Sequence, residues 1–408
     1  MSRFDHKAAV VLSGGGAYGA FEIGVLKALC NGECPSTSHK SLDASIFSGT
    51  SVGSFNASAM CMTPGASASA AIDRLEQIWF EKVADRGSES EGNGVFRLRG
   101  NPVRSLDLSI SSPARALIEC ASDAGFFAED LLQRFASFTT NKGSIPHRAM
   151  GFVDLSSFLS IDPFRRTLSE CLNLEGIRTN KEKELFVVAT NWGTGAAKTF
   201  TKADMTDEEG LSIIMASSAI PGIFPPVLIH PHIYVDGGVV MNTPLACALE
   251  AGATELHVIF LDPDISTIAM APSPNTVDTF SRMYSIMLAT KINEDIATAE
   301  WINLGLDALE RATKGEHLSP EDDRHFLRVA GKILKRAEEA NQYRKLTIHR
   351  YNPSEDLGGL LGMLDFAEDT IAQLVEKGFK CATHHDCAES GCLLPHKTER
   401  VSTAAQTH

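Results

Sequence analysis

Two short apolar runs, each cut by glycines and followed by a helix-forming stretch, constrain this chain more than any other feature. Ala8–Leu12 reads as a buried strand, Ser13 and Gly14–Gly16 break it, and from Ala17 to Leu29 the residues Phe21, Val25 and Leu29 recur at helical spacing. The unit repeats: Ser45–Phe47 is strand-like, Gly49–Gly53 is a turn, and Phe55–Met62 contains no breaker before Pro64. Strand, tight turn and helix in series predict an α/β fold with a mainly parallel sheet.

The rest of the chain extends that pattern. Residues 64–182 read as a helical insertion or cap, with helix-like stretches at Ala71–Ala84 and Glu129–Phe138 and a polar surface loop at 88–94. The sheet returns at Glu184–Ala189 and Leu256–Leu261. Between them a short helix, Leu211–Ala219, ends before Pro221, and strand-like Ile233–Val235 leads into Asp236-Gly237-Gly238. From Thr276 to Ala340 the spacing is helical, and Met283 and Met287 read as packing residues rather than a cofactor box. Leu346–His349 reads as a late strand and Phe366–Lys377 as a closing helix. The expected organisation is a catalytic domain over 1–270 that contains the 64–182 insertion, a helical C-terminal portion over 271–380, and a flexible, polar tail over 383–408.

Composition removes several function classes. Across 408 residues the hydrophobic share is 43% and the charged share 22%, which fits a globular chain and neither a disordered nor a fibrous one. The formal charge of −14 repels a phosphodiester backbone, so no nucleic-acid partner is expected. No cluster of Lys and Arg is present to hold an anionic leaflet, so any lipid contact must use apolar surface. Ala8–Leu12 is too short to cross a bilayer and no cleavage signal precedes the glycines, while nine cysteines, an odd number, read as reduced thiols. A cytoplasmic protein, peripheral on membranes at most, is the expectation.

Gly49-Thr50-Ser51-Val52-Gly53 matches G-x-S-x-G in the context that motif requires, between an apolar run and a helix, and makes Ser51 a candidate nucleophile. Gly14-Gly15-Gly16-Ala17-Tyr18-Gly19 admits two readings. One is a dinucleotide phosphate turn, which needs an acidic residue about twenty positions on, for which Asp43 is poorly placed. The other is a backbone N–H cradle for an oxyanion. A serine also needs a base. By order alone His257, His349, His384 and His385 qualify, each more simply an ordinary polar or core histidine. Asp236, before two glycines that would let a turn expose its carboxylate, competes with a plain Asp-Gly turn. Cys381, His384, His385, Cys387 and Cys392 crowd together, but without a C-x-x-C pair their spacing fits no usual zinc site, and no metal is expected.

Taken together, these segments resemble the patatin-like phospholipases, the lipid acyl hydrolases. The matching residues are Leu12–Gly19, Gly49–Gly53, Ala216-Ser217-Ser218-Ala219-Ile220-Pro221 with Phe224-Pro225-Pro226, and Asp236-Gly237-Gly238. The resemblance implies a three-layer α/β/α sandwich and a serine–aspartate dyad. Ser51 would be the nucleophile, Asp236 the proton acceptor and Gly14, Gly15 and Gly16 the oxyanion hole, with Gly19, Gly49, Gly53, Gly237 and Gly238 supporting the motifs. It implies a lipid or phospholipid substrate, transient membrane contact through an apolar cap, and no cofactor. A catalytically silent lipid- or partner-binding relative is the alternative. An ordinary aspartate, pKa about 3.9, is a poor base at neutral pH, so the implied dyad needs proton transfer concerted with attack. The family often carries Arg or Lys where this chain has Tyr18, which weakens the case for phosphate recognition but leaves the acyl chemistry intact.

Overall fold

The computed structural model describes residues 7–87, 93–98, 121–125, 159–261, 279, 283, 286, 300, 303–305, 345–355, 357–358 and 362–394. Its strands are β1 (Ala8–Leu12), β2 (Ile46–Thr50), β3 (Arg97–Leu98), β4 (Leu159–Ser160), β5 (Glu184–Asn191), β6 (Ala197–Thr201), β7 (Val227–Ile229), β8 (His232–Asp236), β9 (Glu255–Ile259) and β10 (Thr347–Tyr351). The main sheet is parallel where the sequence places its strand–turn–helix units: β10 pairs β9, β9 pairs β1, β1 pairs β2 and β2 pairs β5, all in one direction. Beyond β5 it turns antiparallel, through β6, β8 and β7.

Alternation along the strands builds the layers. Val10, Leu12 and Phe47 point into the larger core, against the helices α1 (Gly19–Cys30), α2 (Val52–Cys61) and α3 (Ala68–Ile78) and the late helix Glu368–Thr383. Ala9, Val11, Ile46, Leu256, Val258 and Ile348 point the other way, into a second core shared with Leu245 and Ala248 of the helix Leu245–Glu250. Helices on both faces of one sheet make the three-layer α/β/α sandwich.

The insertion begins with α3, capped by Ser67, whose side chain accepts the Ala70 N–H, and widens into a π turn over Trp79–Val83. β3 and β4 then pair antiparallel, and α4 (Asp162–Cys171) and α5 (Leu174–Thr179) return the chain to the sheet. Arg97 holds Asp123 with two bonds of 2.8 Å, tying 121–125 to β3. The helix expected at Glu129–Phe138 and most of the helical stretch 276–340 lie outside the described residues. Met283 is helical but 57% exposed, so it is not a packing residue. Further helices are α6 (Gly210–Ser217), α7 (Gly238–Met241), α8 (Leu245–Glu250) and α9 (Glu368–Thr383).

The fraying expected from residue 383 does not describe 383–394. After α9 the chain turns back onto the sheet, His385 is buried, and Leu393 and Ile348 exchange backbone bonds of 2.8 and 2.9 Å. A pairing with an edge strand supplies the anchor that polar composition hid. Among the described residues no helix is long and apolar enough to cross a membrane.

Candidate active site

Ser51 stands at the corner between β2 and α2, with φ 54° and ψ −127°, a backbone conformation that a non-glycine residue adopts only when its surroundings force it. The flanking glycines make the corner possible. A Cβ on Gly49 would lie 2.1 Å from the Gly53 carbonyl oxygen, and one on Gly53 would lie 2.5 Å from that of Leu12. The Ser51 N–H donates to Ser217 Oγ at 2.9 Å, and Ser217 donates in turn to the Val188 carbonyl at 2.6 Å. The Ser51 carbonyl accepts both the N–H and the hydroxyl of Ser54, at 2.9 and 2.6 Å. The serine backbone is thus held from both sides at the N-terminus of α2, whose dipole favours negative charge there.

Sheet register brings the aspartate to it. One edge of β5 is occupied by β2 up to Val188, which faces Thr50, and by β8 from Ala189, which faces Asp236. β6 fills the opposite edge. The ends of β2 and β8 therefore meet beside the same strand, and the residue after Thr50 is Ser51. Asp236 is 1% exposed; its Oδ1 accepts the Gly238 N–H at 2.7 Å and its carbonyl accepts the Thr190 hydroxyl at 2.9 Å. Burial pushes its pKa up from 3.8 to about 7, against the downward pull of the Gly238 N–H and the Ser51 hydroxyl. Oδ2 has no partner in full hydrogen-bond geometry. The Ser51 hydroxyl is within interaction distance of the Asp236 carboxyl.

The glycine loop lies over the serine, but its three members are not equivalent. The Gly14 N–H is already taken, by Asn242 Oδ1 at 3.1 Å and the Asn242 carbonyl at 3.2 Å, while Asn242 Nδ2 donates back to the Gly14 carbonyl at 3.3 Å. Gly14 is therefore removed from the expected oxyanion donors and becomes the loop's anchor. The N–H groups of Gly15 and Gly16 meet no acceptor among the described residues. Gly16 has φ +57°, and a Cβ there would sit 2.3 Å from the Met363 carbonyl, which accepts the Ala17 N–H at 2.8 Å. Gly19, at the start of α1, packs against Val52 and Trp79, and Gly237 packs against Val188 and Thr50.

An apolar pocket of about 610 Å³, its open mouth included, begins at Ser51 and Gly16. Val83, Ile161 and Phe164 from the insertion, Met215 and Phe224 from the middle of the chain, and Phe366 from the C-terminal portion form its walls. Apart from Ser51, Ser218 supplies the only side-chain hydroxyl among the described residues of this lining. The apolar lining suits a hydrocarbon chain.

The family model for patatin-like phospholipases matches residues 10–249. The chain belongs to that family. The match spans all four motifs, places the protein among lipid hydrolases, and agrees with the sandwich fold. No curated protein matches the chain. Among solved structures, VipD from Legionella pneumophila is similar at 15% identity over 92% of this chain and 67% of that one, with a TM-score of 0.34, too low to add to the family assignment.

In this patatin-like chain Tyr18 is buried and lies against Gly362, where a Cβ would come within 2.4 Å of its hydroxyl. The histidines that chain order put forward are elsewhere. His257 bonds Tyr351 and Glu255, His384 bonds the Lys380 carbonyl, and His349 and His385 approach Cys387; none has Ser51 or Asp236 among its described partners. The roles of three further groups escaped the sequence reading. Asn242 and Ser217 hold the loop and the corner. Glu22, fully buried in α1, accepts Asn56 Nδ2 at 2.8 Å, and Asn56 Oδ1 accepts the Trp79 indole N–H at 2.9 Å behind the pocket wall. Burial raises the Glu22 pKa well above the usual 4.5. A glutamate set between Phe21 and Ile23, in a helix whose one other charged residue is Lys27, was the signal for it.

Proposed function

We propose that this protein is a serine acyl hydrolase that cleaves fatty acyl esters of phospholipids or lysophospholipids. The observation that carries the reading is the contact between Ser51, at a positive φ, and a buried Asp236 with a pKa of about 7, at the mouth of an apolar pocket. A carboxylate of that pKa is matched to neutral pH, so burial supplies the basicity that an ordinary aspartate lacks.

In the proposed reaction the acyl chain enters the pocket and Ser51 Oγ bonds to the ester carbonyl carbon while its proton passes to Asp236. The carbonyl oxygen becomes an oxyanion, held by the N–H groups of Gly15 and Gly16 and by that of Val52 at the first turn of α2. The bond to the leaving alcohol then breaks and Asp236 returns the proton to that oxygen, leaving acyl-Ser51. Water repeats the sequence: it gives a proton to Asp236, bonds to the acyl carbon, and releases the fatty acid as Ser51 recovers the proton.

A row of exposed apolar side chains supports contact with the lipid surface. Trp192 follows β5 and donates its N–H to the Ile233 carbonyl, and Ile233 faces Leu228 across the β7–β8 pair. Their exposures are 58%, 46% and 53%, and the row lies off the end of β5 that faces Ser51 and Asp236. Tryptophan in such a row suits the membrane–water boundary.

Labelling with a fluorophosphonate probe tests the proposal. Wild type should label and Ser51→Ala should not, with hydrolysis of a phospholipid ester lost in parallel. A folded wild type that neither labels nor hydrolyses would instead be a silent lipid-binding member of the family.

A further inference from the structure

Four side chains from two separate stretches of the chain meet beside β10: His349 of the strand itself, and His385, Cys387 and Cys392 of the turn that follows α9. One ligand-type atom from each lies within 4.8 Å of all the others. Cys387 Sγ is 3.5 Å from His349 Nδ1 and 3.5 Å from His385 Nε2, and Cys392 Sγ is 3.3 Å from His385 Nε2. On a tetrahedral zinc ion, with bonds of about 2.3 Å to sulfur and about 2.05 Å to nitrogen, adjacent S and N ligands stand about 3.6 Å apart. The observed separations have the size of the edges of that tetrahedron. We infer that His349, His385, Cys387 and Cys392 form a zinc site of the two-cysteine, two-histidine kind.

The chemistry of the donors selects the ion. Thiolates and imidazoles disfavour magnesium and calcium, and four protein ligands close a tetrahedron with no place for substrate, which makes the site structural. Binding would displace one proton from each thiol into solvent, and the two thiolates would balance the dication, so that the half-buried centre carries no net charge.

The surroundings orient these donors. Ser390 Oγ lies 3.4 Å from His385 Nδ1, leaving Nε2 to face both sulfurs. Glu255 Oε1, bonded to His257 Nε2 at 3.0 Å, lies 3.9 Å from His349 Nε2, on the side of the ring away from the cysteines. The Arg350 N–H donates to Cys392 Sγ at 3.3 Å. Asp386 Oδ1 accepts the N–H groups of Ala388 and Glu389 at 2.7 and 3.1 Å, and the Cys392 N–H bonds the Cys387 carbonyl at 2.9 Å, which folds the turn and brings both sulfurs to one side.

The consequence reaches the pocket. A metal joining this turn to β10 would pin the C-terminal end of α9, the helix that follows the pocket residues Met363, Leu364 and Phe366. Both thiols are free, as a metal that takes them as thiolates requires.

The full-length protein, purified under reducing conditions without chelator, should contain one equivalent of zinc by elemental mass spectrometry. Chelation followed by Co²⁺ addition should give the visible absorption of a tetrahedral centre with thiolate charge transfer. Cys392→Ser and His385→Ala should lose the metal, whereas Cys381→Ser, whose thiol bonds the Asn352 carbonyl, should keep it. Chelated wild type should also melt at a lower temperature. The inference is overturned if folded wild type neither carries zinc nor takes up Zn²⁺ or Co²⁺ under reducing conditions. It is equally overturned if intact mass and peptide mapping find Cys387 and Cys392 joined by a disulfide in the metal-free, active protein.

Discussion

Ser217 holds Ser51 in its strained conformation: its hydroxyl accepts the Ser51 N–H at 2.9 Å and donates to the Val188 carbonyl at 2.6 Å, joining the corner to the strand beside which Asp236 stands. Ser217→Ala leaves that buried N–H without an acceptor, a loss of about 1–3 kcal/mol of stability. Because the corner then relaxes, kcat should fall at least tenfold with KM little changed, measured by denaturation and ester kinetics together. A variant with intact kcat would show that the corner holds itself.

Asp236→Asn should be inactive yet more stable at neutral pH. The unfolded chain releases the Asp236 proton from about 3.8 upward whereas the folded one keeps it to about 7. Across that window the unfolded state binds fewer protons, so wild-type stability is full below 3.8 and is lost as pH rises through 7, on the order of 4 kcal/mol in all. Asparagine keeps the acceptor for the Gly238 N–H and removes the penalty. Denaturant titrations should show the two proteins nearly equal at pH 4 and the variant ahead at pH 8; an equal gap at both values would mean that the carboxylate is not held neutral.

Asn242 clamps the peptide of Gly14 with its Oδ1 and Nδ2. Asn242→Ala keeps the backbone bond but frees the loop that carries the Gly15 and Gly16 donors. The expected effect is a fall of about tenfold to a hundredfold in kcat, with Ser51 still labelled by a phosphonate but more slowly. Unchanged labelling kinetics would remove the loop from transition-state stabilisation.

The Trp192, Ile233 and Leu228 row predicts binding to zwitterionic vesicles that persists at high salt, since a chain of net charge −14 has no electrostatic route to a membrane. Trp192→Ser should weaken sedimentation with vesicles and leave hydrolysis of a soluble short-chain ester unchanged. Binding that disappears with salt, or that ignores the substitution, would contradict this.

Much of this was legible because glycine and apolar runs act locally. β1 and β2, their corners and the place of Ser51 follow from short buried runs cut by glycines, whereas Asp236 stood out from a plain Asp-Gly turn only through the family resemblance. β6, in which Lys198 and Thr199 separate Ala197 from Phe200, and the three-residue β7 carry too little apolar pattern to stand out. The basicity of Asp236 was not readable, because it comes from burial between strands that only register brings together. Gly14 looked equivalent to its neighbours until Asn242, far along the chain, took its N–H. His349 was hidden from the cysteine cluster in the same way, since a strand and a turn after a helix meet only in the fold.

The most direct test of the dyad is the pH dependence of kcat/KM for a soluble acyl ester, in wild type and in His257→Gln, His349→Gln and His384→Gln. A single rising limb with an apparent pKa near 7, retained in all folded histidine variants and absent with Asp236→Asn because no activity remains, is the predicted result. A limb that vanishes with a histidine, or hydrolysis that survives Asp236→Asn at a comparable rate, would show that another group takes the proton from Ser51.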